Sequence, residues 1–226
     1  MGGAAAKSDL WVRAGSALVM FVIAGLALWL GGLAFAALLL VVGALTLVEW
    51  LKLVRAMSVG QGLKSALRLL GPLLVAGAIA GLWHVREHLG MAPALWILGM
   101  VWAADIGGYG AGRAFGGARL APSISPGKTW SGLIGAMLAA LVVSASIGDR
   151  AGITGVSLSI GLLMGLVAQV GDLGQSWMKR RAGVKDSGKL IPGHGGMFDR
   201  VDGLIPVAFI LGGLAMLGQI SARGAL

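Results

Sequence analysis

Residues 33–50 read LAFAALLLVVGALTLVEW, an almost unbroken apolar run. A helix needs about twenty such residues to cross the hydrocarbon core of a bilayer. Comparable runs recur along the 226 residues, of which 57% are hydrophobic. That share lies above the roughly 45–50% that is usual for soluble domains. The sequence therefore predicts an all-α protein, a polytopic bundle of membrane helices in a single domain.

The apolar runs predict about seven membrane spans. They are residues 14–31, 33–50, 69–85, 91–110, 129–148, 152–173 and 203–220. With this count, only Arg86, Arg150 and Arg223 of the eighteen Lys and Arg residues fall on one side, and the other fifteen share the opposite side. Basic residues are retained on the cytoplasmic side of membrane proteins. The polar segments 111–128 and 174–202 are therefore expected to face the cytoplasm.

The basic residues give the chain a formal net charge of +9 at pH 7. They lie in loops between apolar spans, so membrane orientation and anionic headgroups explain them better than a nucleic-acid partner. Residues 51–67 alternate Leu, Val and Met with Lys and Arg. This alternation predicts an amphipathic helix that lies along the cytoplasmic interface.

Three aspartates flank the second polar segment. Asp172 follows the apolar run of the sixth predicted span, and Asp199 and Asp202 open the seventh from the same side. Acids at this depth face the bundle interior or a wet cavity and are candidates for function. Asp172 and Asp199 are predicted to converge, and two carboxylates that would otherwise repel form a candidate Mg²⁺ site. The alternative is that Asp199 and Asp202 only stabilise a helix N-terminus.

Basic residues and glycines surround these acids. Such a mixture suits a polyphosphate, because charged donors pair with its oxygens and glycines let backbone amides approach. The alternative is an ordinary basic cluster on anionic lipids, which would not need the glycines. His194 is expected either to donate to a phosphate oxygen or to stabilise the turn. The candidates are Lys179, Arg180, Lys185, Lys189, His194, Gly195, Gly196 and Arg200.

The first polar segment supplies a second set of candidates. Asp105 lies more than one turn inside the fourth predicted span, where the alternative to function is a structural hydrogen bond to a neighbouring helix. Hydroxyls, a lysine and glycine-rich backbone follow it near a helix N-terminus, a suitable cradle for a phosphate or a nucleobase. The candidates are Asp105, Tyr109, Arg113, Ser123, Ser125, Lys128 and Thr129.

Two further motifs are set aside. Residues 127–129 resemble the end of a P-loop, but Pro122 stands where the first glycine belongs and no strand is predicted before it. Residues 84–88 read HVREH, which matches the inverted zinc-protease pattern H-x-x-E-H. They fall on the outer side, away from the other acids, so a solvated helix cap is predicted there.

The stretch 176–202 reads SWMKRRAGVKDSGKLIPGHGGMFDRVD. It resembles the signature of the phosphatidate cytidylyltransferases, also called CDP-diacylglycerol synthases. That signature includes the Ser at position 176, the Lys-Arg pair at 179–180, Lys-Asp at 185–186, Pro-x-His-Gly-Gly at 192–196 and Asp-Arg-x-Asp at 199–202. Gly171–Leu173, Asp105, Tyr109, Arg113 and residues 125–129 are also similar to the family, so the resemblance covers about residues 95–215. Gly127, Ser131 and Gln175 depart from it, since lysine, glutamate and glutamate respectively are expected there.

The resemblance implies a reaction and a set of ligands. A phosphatidate phosphate oxygen would attack the α-phosphorus of CTP, giving CDP-diacylglycerol and pyrophosphate for phospholipid biosynthesis. Mg²⁺ would be held by Asp172 and Asp199, with a monovalent cation such as K⁺ left open, and Asp202 would orient or add a ligand. The triphosphate would meet Lys128, Lys179, Lys185 and Arg200, with Ser176 as a further substrate contact. The implied location is a bacterial-type inner membrane, and a homodimer is left open.

An ion-coupled transporter that uses intramembrane acids is the main alternative from another class. It predicts polar residues near mid-membrane, whereas the fifth and seventh predicted spans lack charge and the clustered charges lie at one face. A non-catalytic lipid-binding scaffold would not require Asp172. Among enzymes, a cytidylyltransferase that acts on another lipid phosphate, such as an archaeal-type ether lipid, stays open.

Overall fold

Long helices dominate the computed structural model of the protein, which describes residues 2–150, 153–154 and 159–222. A π-helical turn, Val85–Leu89, continues the third helix. Two small antiparallel ribbons, β1 with β2 and β3 with β4, complete the described part. The helices are α1 Gly2–Leu30, α2 Gly32–Ala56, α3 Gln61–His84, α4 Met91–Phe115, α5 Trp130–Arg150, α6 Ser159–Arg181, α7 Phe198–Val201 and α8 Leu204–Met216, and the strands are β1 Arg119–Ala121, β2 Ser125–Thr129, β3 Ile153–Thr154 and β4 Ser221–Ala222.

Four of the described helices are long and apolar enough to cross a membrane: Gly32–Ala56, Gln61–Leu89, Met91–Phe115 and Trp130–Gly148. Two shorter apolar helices, Ala14–Leu30 and Leu204–Met216, accompany them. The prediction of a helical integral membrane protein is thus confirmed, while the count of seven spans stays a prediction.

The sixth predicted span, 152–173, differs from the helix found there. Residues 152 and 155–158 lie outside the described residues, as does Arg223. α6 begins at Ser159 and continues through Arg181, so Asp172 lies within the helix and does not end it. Hydropathy falls at Asp172 because one face of α6 is polar, although the backbone remains helical.

The predicted interface helix at residues 51–67 is wrong. α2 continues to Ala56, a break follows at residues 57–60, and α3 begins at Gln61. Leu53 and Val54 are buried in the bundle. Most of the apolar face of this stretch therefore packs against protein, although Leu63 is exposed, where the sequence pattern suggested a lipid surface.

Backbone contact between glycines sets the packing of α3 against α8. A Cβ atom added at Gly81 would lie 2.7 Å from the Cα of Gly212 and 2.9 Å from the carbonyl oxygen of Ala208. Close approach through small residues is the usual way for membrane helices to associate. This contact fixes the position of α8, and hence of the acids that precede it.

The HVREH motif joins helix ends at one end of the bundle. Arg86 Nε donates to the carbonyl oxygen of Leu28 at 2.7 Å, and the Gly32 amide donates to Glu87 Oε1 at 2.8 Å. A cation thus lies at the C-terminus of α1 and an anion at the N-terminus of α2, as the helix dipoles favour. Within the described residues, no group of three or more metal-ligating side chains is found, here or elsewhere.

We expect Gly212→Ala to destabilise the protein, because the new methyl group would clash with the backbone of Gly81. Overpacking of this kind costs about 1–3 kcal/mol. Thermal unfolding in detergent measures the effect, with Gly213→Ala as the matched control because nothing lies within 4 Å of a Cβ atom at Gly213. Equal melting temperatures for the two variants would contradict this packing.

Candidate active site

One face of α6 carries the polar residues of the site. Asp172, Gln175, Ser176 and Lys179 are spaced three, four and seven residues from the first, which places them along one side of a helix. The loop at residues 182–197 then folds back over this face and leads into α7. The candidate residues of the second polar segment are therefore divided between a helix and a loop, where the sequence suggested a continuous polar stretch.

Asp199 is the most heavily hydrogen-bonded side chain of the site. Its Oδ1 accepts from Lys179 Nζ at 2.7 Å and from Gln175 Nε2 at 2.8 Å. Its Oδ2 accepts from the Ser187 amide at 2.8 Å, the Ser187 hydroxyl at 2.9 Å and the Gly196 amide at 3.0 Å. Burial acts to raise the pKa of Asp199, but the hydrogen bonds from Lys179, Gly196 and Ser187 outweigh it and hold that pKa below its usual range.

Asp172 receives fewer hydrogen bonds and is more open. Lys128 Nζ lies 2.7 Å from Asp172 Oδ2, and the Ser176 hydroxyl donates to Oδ1 at 3.3 Å. Lys128 also donates to Gln169 Oε1 at 2.9 Å. The side chain of Asp172 is 32% exposed, against 5% for Asp199. Lys128 thus connects β2 to α6, and the two polar segments of the sequence meet at Asp172.

A close backbone contact holds Asp202 against α6, next to Asp172. A Cβ atom at Gly171 would lie 2.5 Å from the carbonyl oxygen of Asp202 and 2.8 Å from Pro206 Cγ. Burial raises the pKa of Asp202 to about 7, and the charges of Asp172 and then Asp105 act in the same direction. The charges of Asp105, Asp172 and Asp202 therefore repel one another, although these residues do not form a group of three metal ligands, and we call them the acid cluster.

Asp172 and Asp199 contact the same turn of α6. Asp172 is bonded to Ser176, and Asp199 is bonded to the adjacent Gln175. Gln175 is buried, and its Oε1 has no hydrogen-bond partner among the described residues. A carbonyl oxygen without a partner therefore lies beside these acids, at a position where the sequence pattern anticipated glutamate.

A polar cavity of about 410 Å³ lies beside the loop. Its charged lining consists of Lys185, Asp186, Lys189 and Arg200, with His194 next to them. Within the described part of the chain, ion pairs are formed by Lys128 and Lys179 and not by these three cations. We call this space the basic cavity.

The turn that carries His194 is held from α1. The Ile191 amide donates to the carbonyl oxygen of Gly195 at 2.9 Å, and Gly195 has a positive φ of 82°. The Ser16 hydroxyl donates to the carbonyl oxygen of Pro192 at 3.1 Å and lies 2.8 Å from His194 Nδ1. His194 thus helps to hold the turn and also lines the basic cavity, and its role toward a phosphate stays a prediction.

Two candidates for ligand binding have structural partners. Thr129 Oγ1 accepts from the Gly132 amide at 3.1 Å and caps the N-terminus of α5. Arg180 Nε donates to the carbonyl oxygen of Ile124 at 3.1 Å, which holds the β1–β2 hairpin against α6. These contacts explain both residues without a ligand.

The four remaining candidates lie on α4 and in the β1–β2 hairpin. Arg113 Nη1 donates to the Tyr109 hydroxyl at 3.0 Å on the exposed surface of α4. Ser123 lies in the turn of the hairpin, and Ser125 begins β2. The substrate roles expected of these four residues stay predictions.

A sequence model of the cytidylyltransferase family matches residues 64–216. The chain belongs to this family. It is 48% identical over 128 residues to the phosphatidate cytidylyltransferase of Brucella suis biovar 1 (strain 1330), covering 55% of this chain and 47% of the relative. The corresponding protein of Haemophilus influenzae (strain ATCC 51907 / DSM 11121 / KW20 / Rd) is 44% identical over 143 residues, covering 56% of this chain and 49% of the relative.

A third relative, the phosphatidate cytidylyltransferase of Pseudomonas aeruginosa, is 38% identical over 150 residues, covering 61% of this chain and 54% of the relative. The chain thus spans about half the length of the curated relatives that it matches. The resemblance seen in residues 176–202 is confirmed, and the comparisons give no support to an ion-coupled transporter.

Sequence reasoning missed Glu49 and Ser187. Glu49 belongs to α2, outside the matched residues 64–216, and its carboxylate contacts the loop of the site. The available signal was a single acid in the apolar run 33–50, because an unpaired carboxylate there would be costly. Ser187 stood inside the recognised stretch at a position that the signature leaves unspecified.

The raised pKa of Asp202 predicts how stability depends on pH when no metal is bound. The folded protein favours the protonated carboxyl, so this contribution is complete below the ordinary pKa of 3.8 and is lost as pH rises through about 7. In the presence of a chelator, the melting temperature in detergent should therefore fall between pH 5 and 8. Asp202→Asn, which cannot ionise, should flatten the slope, and an unchanged slope would contradict the assignment.

Proposed function

We propose that this protein is a phosphatidate cytidylyltransferase that converts CTP and phosphatidate to CDP-diacylglycerol and pyrophosphate. The observation that carries the proposal is that Asp199, bonded to α6 through Lys179, lies next to Gly195 in the lining of the basic cavity. Family membership supports the nucleotidyl transfer, and the names of the bacterial relatives support the lipid substrate.

The chemistry requires two anions to meet in line. A phosphate oxygen of phosphatidate forms a bond to the α-phosphorus of CTP, and the bond from that phosphorus to the bridging oxygen breaks as pyrophosphate leaves. A phosphate monoester has a second pKa of about 6, so it is mostly ionised at neutral pH and needs no strong base. The requirement is therefore charge compensation and alignment.

The basic cavity supplies part of the positive charge that compensates the two anions. Lys185, Lys189 and Arg200 lie around one space and can pair with the oxygens of a triphosphate. Donors that are already in position stabilise charge on a leaving pyrophosphate without further reorganisation. Lys128 and Lys179 hold Asp172 and Asp199 in place, and we assign them to the organisation of the carboxylates.

The donor set fits a divalent cation. Mg²⁺ is usually bound by one or two carboxylates together with substrate phosphates, so two aspartates are sufficient although the described residues hold no group of three ligands. We propose Asp172 as the central ligand. The sequence assigned the second ligand to Asp199, and that assignment stays a prediction. Both oxygens of Asp199 already accept hydrogen bonds, so the contacts favour Asp202 as the second ligand.

When bound, Mg²⁺ would neutralise phosphate oxygens and polarise the reacting phosphorus. A monovalent cation such as K⁺ stays an expectation, for which the buried Gln175 Oε1 is an available neutral oxygen. A homodimer likewise stays an expectation, and the proposal includes no nucleic-acid partner.

We place the site at the cytoplasmic face of a bacterial inner membrane, in a bundle of about seven spans. The Ser58 amide donates to the carbonyl oxygen of Arg181 at 2.9 Å, so the α2–α3 turn lies at the same end as the site. Lys52, Arg55 and Lys64 flank that turn. The basic residues thus gather around the site, as the positive-inside rule expects of a cytoplasmic end.

The first test is the reaction itself. Purified protein in detergent with phosphatidate, CTP and Mg²⁺ should release pyrophosphate and form a CDP-lipid. Asp172→Asn should lower the rate by roughly a hundredfold or more, because it removes charge from the reacting centre. Glu87→Gln, at the opposite end of the bundle, should retain most of the activity.

A panel of CTP, UTP, ATP and GTP with ester- and ether-linked lipid phosphates then assigns both substrates. Turnover by the wild type with no loss in Asp172→Asn would overturn the proposed site. An absence of CDP-lipid with every substrate pair would overturn the proposed function.

The second test separates Asp202 from Asp199. If Asp202 holds the metal, Asp202→Asn should raise the Mg²⁺ concentration for half-maximal activity by roughly tenfold or more. Asp199→Asn should lower the maximal rate with little change in that concentration, because its carboxylate holds the loop. The reverse pattern would assign the ligand to Asp199 and contradict the inference from hydrogen bonding.

A further inference from the structure

A buried carboxylate from α2 lies under the loop of the site. Glu49 is only 6% exposed, in a helix that is otherwise apolar. A carboxylate in such surroundings is costly unless charge-assisted hydrogen bonds satisfy it. The partners of Glu49 therefore show what this residue does in the fold.

All three recorded donors to Glu49 come from the loop or its end. The Met197 amide donates to Oε1 at 3.0 Å, and the Phe198 amide donates to Oε2 at 2.9 Å. The Ser187 hydroxyl donates to Oε2 at 2.7 Å. One side chain thus fixes both ends of the segment 187–198.

The loop is shaped to receive this carboxylate. A Cβ atom at Gly188 would lie 2.5 Å from Glu49 Oε1, and one at Gly196 would clash with Glu49 Oε2 and with Ser187 Oγ. Glycine at these two positions therefore lets the backbone close over Glu49. The loop backbone and the Glu49 side chain are therefore complementary in shape, because larger residues at these two positions would clash with the carboxylate.

Ser187 connects Glu49 to the site. Its hydroxyl lies 2.7 Å from Glu49 Oε2 and 2.9 Å from Asp199 Oδ2, and a hydroxyl can donate to only one of them at a time. Trp50, the next residue of α2, packs on Phe198 with ring centroids 5.3 Å apart. α2 therefore holds the start of α7 by polar and aromatic contacts together.

We infer that Glu49 is a positioning residue, which fixes the segment 187–198 and thereby the basic cavity and Asp199. It touches no reacting atom. Its effect on catalysis rests on the proposed function, whereas its effect on the order of the loop does not. Glu49 precedes the residues 64–216 that match the family, so this role extends the site into α2.

Hydrogen–deuterium exchange on the full chain in detergent tests the inference without reference to activity. Glu49→Gln keeps the shape but puts an amide N–H₂ group against backbone donors. We expect exchange at Met197 and Phe198 to accelerate by roughly tenfold or more. Thr46→Val is the matched control, because Thr46 is buried one turn earlier and its Oγ1 has no partner among the described residues.

Unchanged exchange in Glu49→Gln would overturn the inference, as would equal acceleration in α3 and α5, which would indicate general destabilisation. If Glu49→Gln fails to fold, hydrogen–deuterium exchange in Ser187→Ala provides a second test. It should accelerate the same amides to a smaller extent, and no acceleration there would also overturn the inference.

Kinetics supply the catalytic half of the test. In Glu49→Gln we expect kcat/KM for CTP to fall by roughly tenfold with the Mg²⁺ requirement unchanged, and Glu49→Asp to recover part of the loss. If the wild type forms no CDP-lipid, the proposed function fails while the exchange result still decides the role of Glu49. Activity equal to wild type in Glu49→Gln would overturn only the inferred effect of Glu49 on catalysis, not its effect on the order of the loop.

Discussion

The site depends on two buried carboxylates that hold a glycine-rich loop. Such a loop has little structure of its own, because each ordered residue costs about 1–2 kcal/mol of backbone entropy. Asp199 and Glu49 offset this cost with hydrogen bonds to charged acceptors, which contribute about 1.5–3 kcal/mol each against about 1 kcal/mol for neutral pairs. Ser187 can donate to both, to Asp199 from its amide and to Glu49 from its hydroxyl, so one residue connects the loop to the start of α7 and to α2.

The two acids of the Asp-Arg-Val-Asp sequence have opposite environments, although only three residues separate them. Asp199 is surrounded by donors, which lower its pKa, whereas Asp202 is buried near Asp172 and Asp105, which raise its pKa. The first arrangement stabilises a fixed negative charge, and the second leaves a charge that a cation would relieve. Spacing in the sequence could not show this division, because it depends on which elements pack beside each carboxylate.

Features that depend on local sequence pattern could be predicted from the sequence. Four of the predicted spans correspond to the four long apolar helices, and the recognised stretch corresponds to the loop and the helix ends of the site. The wrong predictions concern features that depend on tertiary contacts. Hydropathy could not distinguish a lipid interface from the protein core at Leu53 and Val54, and a polar face on α6 was taken as the end of a span. Glu49 was missed because its partner Ser187 lies 138 residues away.

The segment 64–216 that matches the family does not supply every residue that holds the site together. Ser16 of α1 bonds the turn at Pro192, and Glu49 of α2 bonds the loop at its two ends. These contacts reach the loop from helices that precede the segment. The Ser16 contact is exposed, whereas the buried contacts of Glu49 satisfy polar groups that would otherwise lack a partner in an apolar setting. The residues that carry the family resemblance therefore take their geometry from α1 and α2, whose sequences show little beyond hydrophobicity.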